Sequence, residues 1–366
     1  MLILDTNHSW IFVVADDENH DTYADYFIKQ LKENHIDVGV EGLSSSQNEI
    51  TSTQKQHAKN ENALSIKKFF GHDALSEFLN NQLERKPNIV VLIGPSPKNL
   101  PIAKKAHTLN IPVIYFIPPQ ICTLNKSKIN ALKKYCTHII CLYNFETQLF
   151  KEHGIDAVTT AHPLFETVIA SEQYENGQIA IHPGFKQSEI NMCLPTILNA
   201  IERIKAVHPQ CTFSIIVAKP RLKSVIQRCL LDHPDLKCDL IEHNIQDHLK
   251  QCHLAIVINN SMTVPLTLMT TPMIVVHRES WFSKVLSTKI NKVKHFALPN
   301  RIANKTIVPE LLQDKMHANQ ISKHALKLLE NPKNTQSVIR LLENIRKNLS
   351  KVHEKPLPTL IKSLLS

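Results

Sequence analysis

The chain is poor in glycine: 7 residues in 366, about 2% where soluble proteins average roughly 7%. That scarcity excludes glycine-rich phosphate loops, and neither G-x-G-x-x-G nor a P-loop signature occurs. Any anion is therefore held by other means. No run approaches the roughly 18 to 20 apolar residues that a membrane-spanning helix requires. The N-terminus alternates short apolar stretches (Met1–Leu4, Ile11–Ala15) with polar ones, without the basic segment and long apolar segment of a signal peptide, so a cytoplasmic location is expected. Eight cysteines (Cys122, Cys136, Cys141, Cys193, Cys211, Cys229, Cys238, Cys252) are scattered, with no C-x-x-C pair. They read as reduced thiols. The 20 histidines form no H-E-x-x-H and no cluster with carboxylates at ligand spacing, so no metal and no other cofactor is expected. There is no basic block and no aromatic-interleaved strand of the RNP sort, which argues against nucleic acid as a partner.

What is present is an ordinary globular balance of 43% apolar and 20% charged residues, in a length that suits two domains. The formal charge, 42 − 33 = +9, with a pI near 9.0, calls for an anionic partner: a phosphorylated metabolite, nucleic acid or a membrane surface. Short β-branched runs recur between amphipathic, helix-length segments, the pattern of βα units around a parallel sheet. Expected strands are Trp10–Ala15, Ile36–Val40, Ile89–Ile93, Val113–Phe116, His138–Leu142 and Asp156–Thr159, then Gln178–Ile181, Phe213–Ala218, Asp239–Glu242, Leu254–Ile258 and Met273–His277. The first helix is expected over Asp21–Asn34, and the polar stretch Ser44–Asn62 reads as a surface loop. Two consecutive series joined near residues 170–177 predict an α/β chain of two Rossmann-like domains, 1–170 and 171–337, with a cleft between them. A helical segment, 338–366, then packs back on the first domain or on a partner subunit. In such sheets ligands sit at the carboxyl ends of the strands.

The sharpest local signal is Ile181–Ile190 (IHPGFKQSEI), where a strand ends, turns tightly and opens a helix with Glu189 in its first turn. Helix openings offer unpaired N–H groups and a partial positive charge, so the turn suits a phosphate with Lys186 as countercharge. By itself it reads first as an ordinary strand-to-helix turn. Residues His277–His295 place Trp281 and Val285 toward one helical side with Lys284 among other lysines. Leu124–Tyr135, with Lys126, Lys128, Lys133 and Lys134, repeats the pattern. Either stretch is an interfacial helix on anionic lipid or a helix packed on its own core with a solvated basic face.

An ordered series of motifs resembles the lipid A disaccharide synthase family, glycosyltransferases of the two-Rossmann-domain (GT-B) type, over almost the whole chain. Ala15–Asp21 stands in place of A-G-E-x-S-G-D. Val113–Pro119 stands where a strand runs into Y-V-S-P. Asn144–Glu146 follows P-F-E, Gly154 follows G, and Ala161–Leu164 follows G-H-P-L. His182–Ile190 corresponds to L-P-G-S-R-x-x-E-I. Pro272–Val276, Leu298–Asn300 and Val308–Gln313 echo P-M-V-V, S-L-P-N and P-E-L-L-Q. The resemblance implies an inverting transfer of diacylglucosamine from its UDP form to diacylglucosamine 1-phosphate, in lipid A biosynthesis. It needs no metal if cationic side chains and helix N-termini take the diphosphate. It also implies a homodimer through the C-terminal helices, and its acylated substrates fit the basic amphipathic stretch with Trp281, Lys284 and Val285 as a peripheral contact with the anionic inner-membrane surface. Donor-binding candidates are Gly184, Lys186, Glu189, Asn259, Asn260, Ser261 and Asn300. For the base the candidates are Asp17, Asp21 and His162, where Asp21 is equally a helix-capping acid and His162 equally a hydrogen-bonded loop residue.

The departures fall in the active-site motifs. The family's acids in G-x-D-x-P-D-F-N are absent from Gly94–Asn99. Asn260 replaces a glycine, Pro265 replaces a donor-binding glutamate, Lys186 replaces an arginine, and Ile121–Thr123 replaces W-A-W. They keep a second reading open, a diverged or non-catalytic relative that binds a lipid or a protein partner.

Overall fold

The computed structural model describes residues 9–15, 18–43, 77–121, 124–165, 167–171, 177–258, 262–278, 294–350 and 356–366, with side chains for all of these except 18–21 and 350. The chain divides into two compact units, residues 1–163 with 351–366, and residues 164–350. The expected surface loop at 44–62 and the stretch from Glu279 to Lys292 lie outside the described residues.

The first unit alternates β1 (Trp10–Val14), α1 (Glu18–Glu33), β2 (Gly39–Leu43), α2 (77–84), β3 (Ile89–Ile93), α3 (Asn99–Thr108), β4 (Val113–Phe116), α4 (Lys126–Tyr135), β5 (His138–Cys141), α5 (Asn144–Glu152) and β6 (Ala157–Thr159). Its strands form one parallel sheet in the order β2-β1-β3-β4-β5-β6. A parallel sheet is covered on both faces, so its strands read as continuous apolar runs. Ile89–Ile93 (IVVLI) is fully buried along its length. Phe12, Val14, Val90, Leu92, Val113 and Tyr115 gather on one face with Ala103 and Ala106 of α3. The expected strand Ile36–Val40 lies three residues further on, at Gly39–Leu43. Ile36 is still in the helix-to-strand turn, where His35 is left-handed (φ 51°). A Cβ at residue 42 would meet the Val13 backbone oxygen at 2.4 Å, so the glycine allows the close approach of β2 to β1.

The second unit repeats the plan with β7 (Gln178–His182), α6 (Gln187–Val207), β8 (Thr212–Ile216), α7 (Lys223–Leu230), β9 (Asp239–Ile241), α8 (Ile245–Lys250), β10 (Leu254–Ile258), α9 (Thr263–Met269), β11 (Met273–His277), α10 (Leu298–Ala303), β12 (Glu310–Leu312), α11 (Ala318–Glu330) and α12 (Pro332–Ser350). Its parallel sheet runs β12-β11-β10-β7-β8-β9. Ile190, Leu194, Ile197, Leu198, Ile201 and Ile204 put the buried stripe of α6 on the sheet's Ile179, Ile181 and Ile215. The three-residue β12 was not among the expected strands, being too short to show a period. The last helix, α13 (Pro356–Leu365), packs within the first unit against α1 and β3, burying Leu357, Pro358 and Ile361.

At several helix ends and turns other residues take glycine's usual place. Eight non-glycine residues among the described ones have positive φ, including His35, Lys86, Asn110, Asn244, Thr270 and Asn304. Asparagine tolerates the left-handed region best among them. Asn304 and Thr270 terminate α10 and α9 in that conformation, closing their last carbonyls as a C-terminal glycine would.

Candidate functional site

In the second unit the turn after β7 brings His182, Gly184, Lys186 and Glu189 together. Gly184 has φ +112°, a conformation for glycine alone. Glu189, in the first turn of α6, folds its carboxylate back beneath the turn. Its Oε2 accepts hydrogen bonds from the backbone N–H of Phe185 (2.8 Å) and of Lys186 (3.3 Å). A Cβ on residue 184 would stand 2.4 Å from that oxygen and 2.8 Å from the Glu189 Cβ. Glycine is thus required by both backbone and contact. The anion on these two N–H groups is the chain's own glutamate, an N-terminal cap, which makes Glu189 a builder of the turn. Lys186 remains exposed, and the N–H groups of the first turn of α6 have no acceptor within the helix.

His182 closes β7 and is 1% exposed. Its ring lies 4.7 Å from that of Phe185, and burial holds its pKa down at about 4, so it is neutral at pH 7. Sequence reasoning passed over this residue; a histidine at a strand end that is otherwise apolar was the signal available.

Asn300 is fully buried at 0% exposure, and all of its hydrogen-bonding capacity is used within the chain. Nδ2 donates to the Val308 carbonyl (2.8 Å) and to Glu310 Oε1 (2.7 Å), while Oδ1 accepts from the N–H of Ile307 (2.7 Å) and Val308 (2.9 Å). An amide side chain has two donors and two acceptor lone pairs, so none is left for a ligand. Glu310 in turn accepts from the N–H groups of Phe296 and Ala297 and so caps α10. Asn300, expected at the donor, is in this structure committed to the chain's own groups. Buried Asn300 and half-buried Glu310 form one polar knot that fastens α10 to β12, which gives L-P-N and P-E-L-L-Q a common structural reason.

In the first unit the motif residues Gly94–Asn99, Asn144–Glu146 and Ala161–Leu164 follow the carboxyl ends of β3, β5 and β6. Gly94 (φ +77°) turns the chain out of β3, and the Ser96 hydroxyl accepts from Lys98 N–H at 3.2 Å. Counted from Gly94, the two acidic positions of G-x-D-x-P-D fall on Ser96 and Asn99. Asn99 is 0% exposed; its Nδ2 donates to the Gly94 carbonyl (2.9 Å) and lies 3.3 Å from the Tyr115 hydroxyl. The amide bolts the turn to the end of β4, a role a carboxylate would reverse, because both it and the carbonyl are acceptors. One residue beyond β4, Ile117 is left-handed (φ 59°), strain that a β-branched residue rarely carries.

His162 is 2% exposed and held neutral by burial, its pKa lowered to about 4. It sits in a row of rings, 5.8 Å from Tyr143 and 6.3 Å from Tyr23, with Phe145 stacked on Tyr143 at 5.6 Å and Phe116 beside Tyr23 at 6.3 Å. Burial raises the Tyr23 hydroxyl to about 12, so it stays a neutral phenol. Glu146 lies in the first turn of α5. Asp17, Asn259, Asn260, Ser261, Trp281, Lys284 and Val285 lie outside the described residues, as does the side chain of Asp21. Among the described residues no three His, Cys, Asp or Glu side chains cluster as metal ligands, and no helix is long and apolar enough to cross a membrane.

Comparison with known proteins fits this arrangement. The chain is 28% identical over 276 residues to a lipid-A-disaccharide synthase of Anaeromyxobacter dehalogenans (strain 2CP-1), covering 73% of this chain and 72% of that one. It is 24% identical over 363 residues to lipid-A-disaccharide synthase 1 of Legionella pneumophila (strain Philadelphia 1), covering 94% of each. Among solved structures, the S. aureus MnaA–UDP co-structure superposes with a TM-score of 0.62 at 12% identity, covering 95% of this chain and 99% of that one, a likeness of fold: two parallel sheets with helices, the GT-B plan. The model of the lipid-A-disaccharide synthetase family matches from residue 11 to residue 357, and the chain belongs to that family of glycosyltransferases.

Proposed function

We propose that the chain transfers 2,3-diacylglucosamine from its UDP form to 2,3-diacylglucosamine 1-phosphate, with inversion, as a lipid A disaccharide synthase. The observation that carries this is the family match over residues 11–357, which spans both units. In the reaction the acceptor hydroxyl loses its proton to a base, its oxygen attacks the sugar's anomeric carbon, and the bond to UDP breaks with the electron pair leaving on the diphosphate. The first unit holds the acceptor and the second the nucleotide sugar. Gly184 and Lys186, with the start of α6, Asn259, Asn260 and Ser261, receive the donor; Lys186 supplies charge without the fork of an arginine. With Ser96 and Asn99 lacking a carboxylate, the base is Asp17, Asp21 or His162. His162 enters as a neutral imidazole with a lone pair to accept the proton, and removal of the true base slows transfer by roughly 10²- to 10⁴-fold.

The acylated substrates place the enzyme at the anionic inner membrane. The exposed lysines Lys126, Lys128, Lys133 and Lys134 of α4, beside exposed Lys104 and His107 of α3, support this contact, together with Trp281, Lys284 and Val285. Sedimentation with anionic against neutral vesicles reads it, and light scattering reads a homodimer through the C-terminal helices. The decisive test is complementation: in a strain depleted of its own synthase, expression of this chain restores growth and lipid A. Failure of a stably expressed chain to do so defeats the proposal. Asn99 in place of an acid favours a second reading, a relative that binds the acylated sugar without turning it over. Retained ligand binding with no product separates the two.

A further inference from the structure

His182 Nδ1 is enclosed and finds no hydrogen-bond partner among the described residues. Burying an imidazole nitrogen unpaired is unfavourable, so the atom calls for a partner: a water, an ion or a ligand. The position of the ring favours a ligand. The ring closes β7 at the carboxyl edge of a parallel sheet, where ligands bind. It packs on Phe185 in the turn that opens α6, a helix of 21 residues whose first-turn N–H groups point toward that edge; Glu189 takes the N–H groups of Phe185 and Lys186, which precede the helix. It also pairs in register with Val257 of β10, in the middle of that sheet.

We propose that His182 contacts the ligand directly, its Nδ1–H donating to a phosphoryl oxygen of a nucleoside diphosphate seated at the start of α6. This rests on the reading of the second unit as the nucleotide-sugar side. The neutral ring brings a directional donor without a second charge beside Glu189. It stands where the resemblance places a leucine, four residues before Lys186, so it supplies the directed hydrogen bond lost with the arginine. Phe185 is half-buried over the imidazole and is the side chain a ligand displaces to reach it.

The test compares UDP with uridine, on the full chain and on His182→Leu, by calorimetry. UDP affinity falls roughly 10- to 100-fold in the variant, as expected for a hydrogen bond to a charged group, while uridine, lacking phosphates, binds both proteins alike. Nitrogen-15 spectra of histidine-labelled protein, assigned by the variant, show the His182 Nδ1 resonance moving on addition of UDP and not of uridine. The inference is overturned if UDP affinity stays within twofold, if uridine loses as much as UDP, or if the resonance does not respond. Should the variant not fold, the resonance alone decides. A full chain that binds no UDP overturns the donor-side reading itself, and this inference with it.

Discussion

Replacing Asn300 by alanine separates a structural role from a ligand-binding one. The change removes four hydrogen bonds of 2.7 to 2.9 Å and strands the N–H groups of Ile307 and Val308 and the Val308 carbonyl. Glu310 keeps its bonds from Phe296 and Ala297. Each buried orphan costs about 1 to 3 kcal/mol, and water entering the space left by the amide recovers part of it, so the loss is about 4 kcal/mol. With a urea slope of about 2 kcal/mol/M for a unit of this size, the unfolding midpoint drops by about 2 M. Far-UV circular dichroism in urea measures it, and UDP affinity at 10 °C without urea is expected to be unchanged. A midpoint shift below about 0.5 M, joined to a tenfold loss of UDP affinity, would refute the reasoning and return Asn300 to the ligand.

Further outcomes follow from the same contacts. Gly184→Ala adds a Cβ 2.4 Å from Glu189 Oε2 at φ +112°; strain of about 1 to 3 kcal/mol and the disturbed cap lower the thermal midpoint by about 5 to 10 °C in calorimetry, and a shift under 2 °C would mean the turn re-forms freely. Asn99→Asp puts a buried carboxylate against the Gly94 carbonyl. It destabilises by about 3 kcal/mol at pH 7, less at pH 4 where a protonated acid can donate, and a variant as stable as the original at pH 7 would contradict this. His162 and His182 both fold with pKa values lowered from 6.5 to about 4, so between those values the unfolded chain binds more protons. Stability is then full above about pH 6.5 and declines as pH falls toward 4, by about 3 kcal/mol for each. His182→Leu removes one of the two contributions, and an unaltered acid profile in that variant would speak against a depressed His182.

The parallel sheets were legible because buried strands such as Ile89–Ile93, Leu254–Ile258 and Met273–His277 are unbroken apolar runs, and these matched residue for residue. Strand β2 slipped by three residues because its two glycines count against a strand by propensity, while in the fold they permit close packing on β1. In the site, the phosphate-like turn was readable from Gly184, Lys186 and Glu189. That Glu189 answers its own turn was not, because a first-turn acid reads the same whether it caps or faces a ligand. Asn300 reads in sequence as turn chemistry or a donor contact, and its four hydrogen bonds to Ile307, Val308 and Glu310, ten residues away at most, show only in the fold. Asn99 escaped notice because an amide was not weighed as the occupant of an acidic position.

Product formation tests the central claim most directly. Purified chain in detergent, given UDP-2,3-diacylglucosamine and 2,3-diacylglucosamine 1-phosphate, is predicted to yield UDP and tetraacyldisaccharide 1-phosphate in equal amounts by mass spectrometry. Folded protein that yields neither, under conditions where a lipid-A-disaccharide synthase control turns over, would contradict the account.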